Sequence, residues 1–177
     1  MKTIITGFIS DYDIETLAVR LSEKLDMSIA PTFTTDLLYD GRANKHVYFM
    51  SSEEVELSYK NDAFMWVRTY DDISTGVVLH DMYDHDLFVM GCAEFNNISA
   101  PVFNSFINED GMIVFLDSKK KHTEYSAAEA KFALERIYDA KYLYFINDSI
   151  QSIEKTLTEY MHGDENVRLS IQNELNT

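Results

Sequence analysis

Residues 1–21 read MKTIITGFISDYDIETLAVRL, and two periodicities meet inside them. Lys2 to Thr6 is a short run rich in β-branched residues that stops at Gly7, which predicts a first buried strand. From Ile14 the apolar positions Ile14, Leu17, Ala18, Leu21 and Leu25 recur at helical spacing, which predicts an amphipathic helix. Asp11 or Asp13 would cap that helix, and Glu15 in its first turn suits the positive end of the helix dipole. Strand, glycine, turn and helix in that order is the layout of a loop whose backbone wraps a phosphate. Such a loop needs glycines, so that its N–H groups can approach the anion, and a lysine to neutralise it. This stretch has one glycine and no lysine.

Outward from it, the same alternation of strand and helix continues. MSIAP (27–31) leads into a polar turn, TFTTD (32–36), and HVYFM (46–50) reads as a strand. SSEEVE (51–56) opens a helix in which Ser51 or Ser52 with Glu54 forms a capping box. FMWVRTY (64–70) is a further strand, with Gly76 marking a turn after it. LFVMGCA (87–93) and MIVFL (112–116) are continuous apolar runs, the pattern of strands covered on both faces. AAEAKFALERIYDA (127–140) is a helix, KYLYFI (141–146) a last strand, and SIQSIEKTLTEYM (149–161) a closing helix. The whole reads as an α/β protein: a three-layer α/β/α sandwich with a mainly parallel sheet. One domain over 1–162 is expected, followed by a polar tail or short docked helix at 163–177.

Composition limits what such a domain does. The chain of 177 residues is 46% hydrophobic and 25% charged, an ordinary globular balance. It has no apolar run long enough to cross a membrane and no secretory pattern at its start. Cys92 is the single cysteine, which excludes an internal disulfide and agrees with a reducing cytoplasm. A net charge of −15 disfavours nucleic acid and anionic membranes as partners, because phosphates would be repelled over most of the surface. Two readings of the acidity stay open: a solvated surface that keeps the protein soluble, or a negative face that docks on a partner protein with a basic surface.

Three further segments resemble one known family. TTDLLYDGRANKHVYFMSSEEVE (34–56) is similar to the TTRxxRxGxxxGxxY segment of guanylate kinases, with Gly41 and Tyr48 in register without a gap. FMWVRTYDDISTG (64–76) resembles the family's FxEWxxxxGxxYGT, and FINDSIQSIEKTL (145–157) its VNDDLxxAxxxL. The resemblance spans roughly residues 2–160 and implies the fold of a P-loop nucleoside monophosphate kinase. About ten residues separate Gly76 from the next strand, fewer than the family has there. The resemblance therefore implies a reduced acceptor-binding region, with VVLHDMYDHD in place of a longer helix.

The residues that perform the family's chemistry are replaced. Aligned from Gly7, the second glycine and the lysine of the phosphate loop fall on Tyr12 and Asp13, and the metal-binding hydroxyl on Ile14. The two arginines that grip the acceptor phosphate fall on Asp36 and Tyr39. The base-reading aspartate falls on Ala93 or Gly91, and the lid arginines near Phe132 and Ala133, beside Lys131. Phosphoryl transfer rests on positioning and charge neutralisation, so these changes imply a domain without kinase activity. No cofactor is expected, and a nucleotide would bind weakly if it binds.

The expected function is therefore that of a non-catalytic guanylate-kinase-like protein that binds another protein, in the manner of a phage-type acidic inhibitor of a host protein. Its candidate surface is the former substrate cleft: Asp11, Tyr12, Asp13, Asp36, Tyr39 and Tyr48, with Asp81, Asp84 and Asp86 from the acidic loop 80–86. Two alternatives stay open. One is an active nucleoside or deoxynucleoside monophosphate kinase using Arg42, Lys45 or Lys119 to Lys121 as replacement cations; the other is a nucleotide-sensing domain without turnover. HDMYDHD (80–86) also offers His80 and His85 to a metal, but their spacing favours a solvated acidic turn. Phe95 to Phe106 holds aromatics that are either core or an exposed docking patch, and Cys92 reads as a buried small hydrophobe.

Overall fold

The computed structural model describes residues 1–39, 46–118, 120, 123–146, 148–166 and 168–169, and for Asp11 its backbone alone. Two sheets organise the chain. The first has strand order β6-β1-β7-β8 and is parallel throughout, from β1 (Thr3–Gly7), β6 (Leu87–Val89), β7 (Met112–Asp117) and β8 (Lys141–Ile146). The second, ordered β3-β2-β5-β4, is mixed: β2 (Thr32–Thr34) pairs parallel with β3 (Val47–Phe49) and antiparallel with β5 (Ile73–Val78), which pairs antiparallel with β4 (Phe64–Tyr70).

Alternation along the buried strands produces the expected three layers. In β1, Ile5 faces helix α1 (Ile14–Leu25) and helix α7 (Ile150–Met161), in a core shared with Leu17, Leu21, Val114, Leu116, Ile153 and Leu157. Its neighbour Ile4 faces the other way, into a core with Ile113 and Phe115. There it meets α4 (Cys92–Asn97), α5 (Ala100–Asn108) and α6 (Glu124–Ile137) through Phe95, Phe106, Ala133 and Ile137. Apolar residues point each way along β1 and β7, with Thr3 and Thr6 buried among them, so both faces need a helical cover. The fold is the α/β/α sandwich that the sequence predicts.

Several local readings are corrected. TFTTD is not a turn: its first three residues are β2, because Phe33 and Thr34 are buried between β3 and β5 and threonine is a good strand former. Gly76 lies inside β5 rather than in a turn. A Cβ there would sit 2.4 Å from the Trp66 carbonyl oxygen and 2.8 Å from Phe33 Cε1, so the glycine permits close approach of two neighbours. The turn is made instead by Asp71 and Asp72, both at positive φ (47° and 63°), a conformation that aspartate tolerates. LFVMGCA contains a strand only as far as Val89; Gly91 then caps α4. The segment from Phe95 to Phe106 forms α4 and α5 with Phe95, Phe103 and Phe106 buried, so the docking-patch alternative falls away. The 80–86 segment is not a simple turn but carries the short helix α3 (Asp81–Asp84), anchored by the fully buried Met82. Helix α2 (Ser52–Lys60) has the capping box, with the Ser51 hydroxyl accepting from the Glu54 amide. The tail expected at 163–177 lies largely outside the described residues.

Candidate functional site

The stretch that opens the chain folds as strand, 3-10 turn (Ile9–Asp11) and helix. Gly7 closes β1 at φ +113°, and a Cβ there would meet the Leu116 carbonyl oxygen at 2.3 Å, so β1 and β7 approach at a distance only glycine allows. Beyond it the loop is tied to its own protein. The Phe8 amide donates to the Leu116 carbonyl at 2.8 Å, and the Tyr12 amide to the Ile9 carbonyl at 3.2 Å. The Tyr12 hydroxyl donates to the Asp117 carbonyl at the end of β7. Asp117 is a hub: its side chain also accepts from the Tyr144 hydroxyl and, at 2.7 Å, from the Ser118 amide. Burial, reinforced by that carboxylate, raises the Tyr144 phenol above its usual range and keeps it a donor.

At the start of α1, Asp13 is the cap. Its carboxylate accepts from the Thr16 amide at 3.3 Å and the Thr16 hydroxyl at 2.8 Å. A phosphate loop works by turning its amides and the positive end of its helix toward an anion. Here one such amide, that of Thr16, serves a carboxylate of the chain itself, and those of Phe8 and Tyr12 serve backbone carbonyls. A second anion arriving there would be repelled: two unit charges ~4 Å apart interact by ~4 kcal/mol at an effective dielectric of about 20. The concavity beside α1, about 300 Å³, is lined by Glu15, Val19, Val47, Val89 and other mainly apolar residues, and no lysine or arginine lines it among the described residues.

The other expected surface residues are dispersed. Asp36 accepts from the Leu38 amide at 2.9 Å, and the Tyr39 hydroxyl donates to the Val47 carbonyl at 2.5 Å. Tyr48, on β3, has its phenol raised by burial and then by the charges of Asp81 and Glu54, so it shares an acidic neighbourhood with α3. Asp81 is itself raised, chiefly by burial, and lies 3.6 Å from His85 Nε2; Asp84 pairs with His80 at 2.7 Å. Asp86 is elsewhere. It precedes β6, which runs parallel to β1 with Thr3 opposite Leu87, and so sits at the end of the sheet away from Gly7. Burial opposes its ionisation, but the Ser28 amide and hydroxyl, at 2.9 and 2.8 Å, outweigh that and hold its carboxyl below the usual range. The Asp11 side chain, Gly41, Arg42, Lys45, Lys119 and Lys121 lie outside the described residues. Cys92 is buried, and burial with the nearby Glu129 charge pushes its thiol up to about 12, so it is no nucleophile at neutral pH.

The fold defines a class of architecture: it is consistent with that of the P-loop nucleoside monophosphate kinases. Among solved structures the chain is similar to the guanylate kinase from Anaplasma phagocytophilum, with a TM-score of 0.58 over 93% of this chain and 85% of that one. The two are 17% identical, a level at which the likeness speaks for the fold alone. No protein-family model matches the sequence, and no curated protein matches it. No helix among the described residues is long and apolar enough to cross a membrane.

Proposed function

We propose that this chain is a non-catalytic protein of guanylate-kinase fold that acts by binding a protein partner with a basic surface. The observation that carries the reading is the self-occupied phosphate loop. Asp13 caps α1 where a phosphate would bind, and Tyr12 is bonded to Asp117 across the mouth of β7. The catalytic requirement is charge neutralisation at the transferred phosphoryl group, and the loop supplies charge of the wrong sign. The net charge of −15 supports a cationic partner, and an acidic inhibitor of a host protein, of the kind phages produce, belongs to that class.

The test combines a coupled ADP-release assay with calorimetry, using ATP together with GMP and the deoxynucleoside monophosphates. Neither ADP release nor binding heat is expected. Turnover would overturn the proposal in favour of a kinase with replacement cations; binding without turnover would overturn it in favour of a nucleotide sensor.

A further inference from the structure

Strand β4 ends the second sheet, paired with β5 on one side. Phe64, Met65, Trp66 and Val67 line a concavity of about 610 Å³, and Val67, Arg68 and Thr69 line an adjoining one of about 480 Å³. The two share Tyr59, Val67 and Asn97, so they form one groove. Successive residues of a strand point to opposite faces. A groove lined by every residue from Phe64 to Thr69 therefore runs along the strand's edge, with the backbone as its floor. Helix α2 supplies one wall through Val55 and Tyr59, and the α4–α5 segment the other through Asn97 and Val102.

The hydrogen-bond phase of the sheet shows which backbone groups face this groove. The Thr35 amide donates to the Ser74 carbonyl at 3.0 Å, and the Ser74 amide to Thr35 Oγ1 at 2.8 Å, so Ser74 turns its backbone toward β2. By alternation Thr75 turns toward β4, where its partner is Arg68. The N–H and C=O groups of Val67 and Thr69 are thereby directed away from β5, toward the groove. Within it, Trp66 is 5% exposed, and its indole N–H has no hydrogen-bond partner among the described residues.

The surrounding charge selects the occupant. Of the charged residues that line the groove, Glu56 and Asp62 are acidic and Arg68 is basic; the adjoining elements add Glu53 and Lys60 on α2 and Asp71 and Asp72 in the β4–β5 turn. Both cations are already engaged, Lys60 with Glu56 at 2.9 Å and Arg68 with Glu94 at 3.1 Å. We propose that the β4 edge is a docking groove for an extended segment of a partner protein that alternates basic and apolar residues, added to the second sheet as a further strand. Six residues of such a segment span about 20 Å. The proposal rests on the reading of the chain as a protein-binding protein, and it places the contact at the β4 edge rather than at the phosphate loop.

Trp66 is the sole tryptophan and lines this groove, so under folded conditions its fluorescence reports an occupant there. The probe is an acetylated, amidated heptapeptide of alternating lysine and valine, with a glutamate-for-lysine peptide as control. The lysine peptide should change Trp66 fluorescence saturably, bind at least tenfold more tightly than the control, and slow hydrogen exchange at the Val67 and Thr69 amides. Thr69→Pro removes an outward N–H without removing a β4–β5 backbone hydrogen bond, giving up only the hydroxyl contact with Ser74 at 2.8 Å. With Thr69→Val as the control for that contact, it should weaken binding at least tenfold with the circular dichroism unchanged. Should the proline variant fail to fold, Glu56→Lys on the exposed face of α2 decides instead, with a severalfold loss expected. No fluorescence change at millimolar peptide, equal binding of the control, or full affinity in the deciding variant would overturn the groove. Nucleotide turnover would sink the protein-binding function while leaving these peptide results standing; silence in both experiments would sink the groove alone.

Discussion

Asp13 shows how one residue can decide a site. Its carboxylate satisfies the Thr16 amide and places a negative charge at the positive end of α1, the place where an enzyme of this fold would hold phosphate. Replacing it with alanine, Asp13→Ala, should cost about 1 kcal/mol through loss of the cap. In a domain of this size that lowers the melting temperature by about 2–4 °C, readable by circular dichroism. ATP binding should not appear in that variant, because the loop would still lack its lysine and glycines. The cap was legible from the sequence as Asp11 or Asp13, since a cap needs only a short polar residue just ahead of a helical periodicity, and the structure selects Asp13. The partner of Tyr12 was not legible. Asp117 lies 105 residues further on, and no local pattern announces a contact that exists only because β7 lies beside β1. Tyr144 completes the same cluster from β8, equally without a local signal.

At the scale of elements, long apolar runs were readable and short polar ones were not. MIVFL follows directly from its pattern, because burial on both faces leaves no polar alternation to confuse it. KYLYFI, an edge strand, follows from its aromatic and β-branched content, and the two helices that cover the Ile5 face from their helical periodicity. The second sheet hides better. β2 and β3 are three residues each, and β2 carries two threonines around Phe33. Gly76 suggested a turn because glycine is the commonest turn former; what it does is allow β5 to pass within contact of Trp66 and Phe33. Gly76→Ala should therefore destabilise the protein by about 1–3 kcal/mol, the range for forcing a methyl group into a packed site. Urea denaturation would measure the loss. Because Phe33 and Trp66 are both buried against that glycine, tryptophan fluorescence should record the same transition.

For the molecule as a whole, the sequence shows a net charge of −15 and the fold shows where the described acidic groups sit. The acidity expected to gather in one cleft is spread over two ends of the parallel sheet, with Asp13 at one and Asp86 at the other. Sequence spacing carries no information on which end of a strand a distant loop will reach, so the candidate cleft could be assembled only once the register of β1 and β6 was known. What the sequence did reveal is that the stretch from Gly7 to Val19 holds one glycine and no lysine. The geometry adds that the space at α1 is taken by groups of the protein itself. The most direct measurement of that claim is a titration with magnesium ATP followed by the backbone amide resonances from Phe8 to Thr16. Unchanged resonances at millimolar nucleotide are expected. Saturable shifts of those amides below millimolar concentration would contradict it, because they would show that the loop still receives a phosphate.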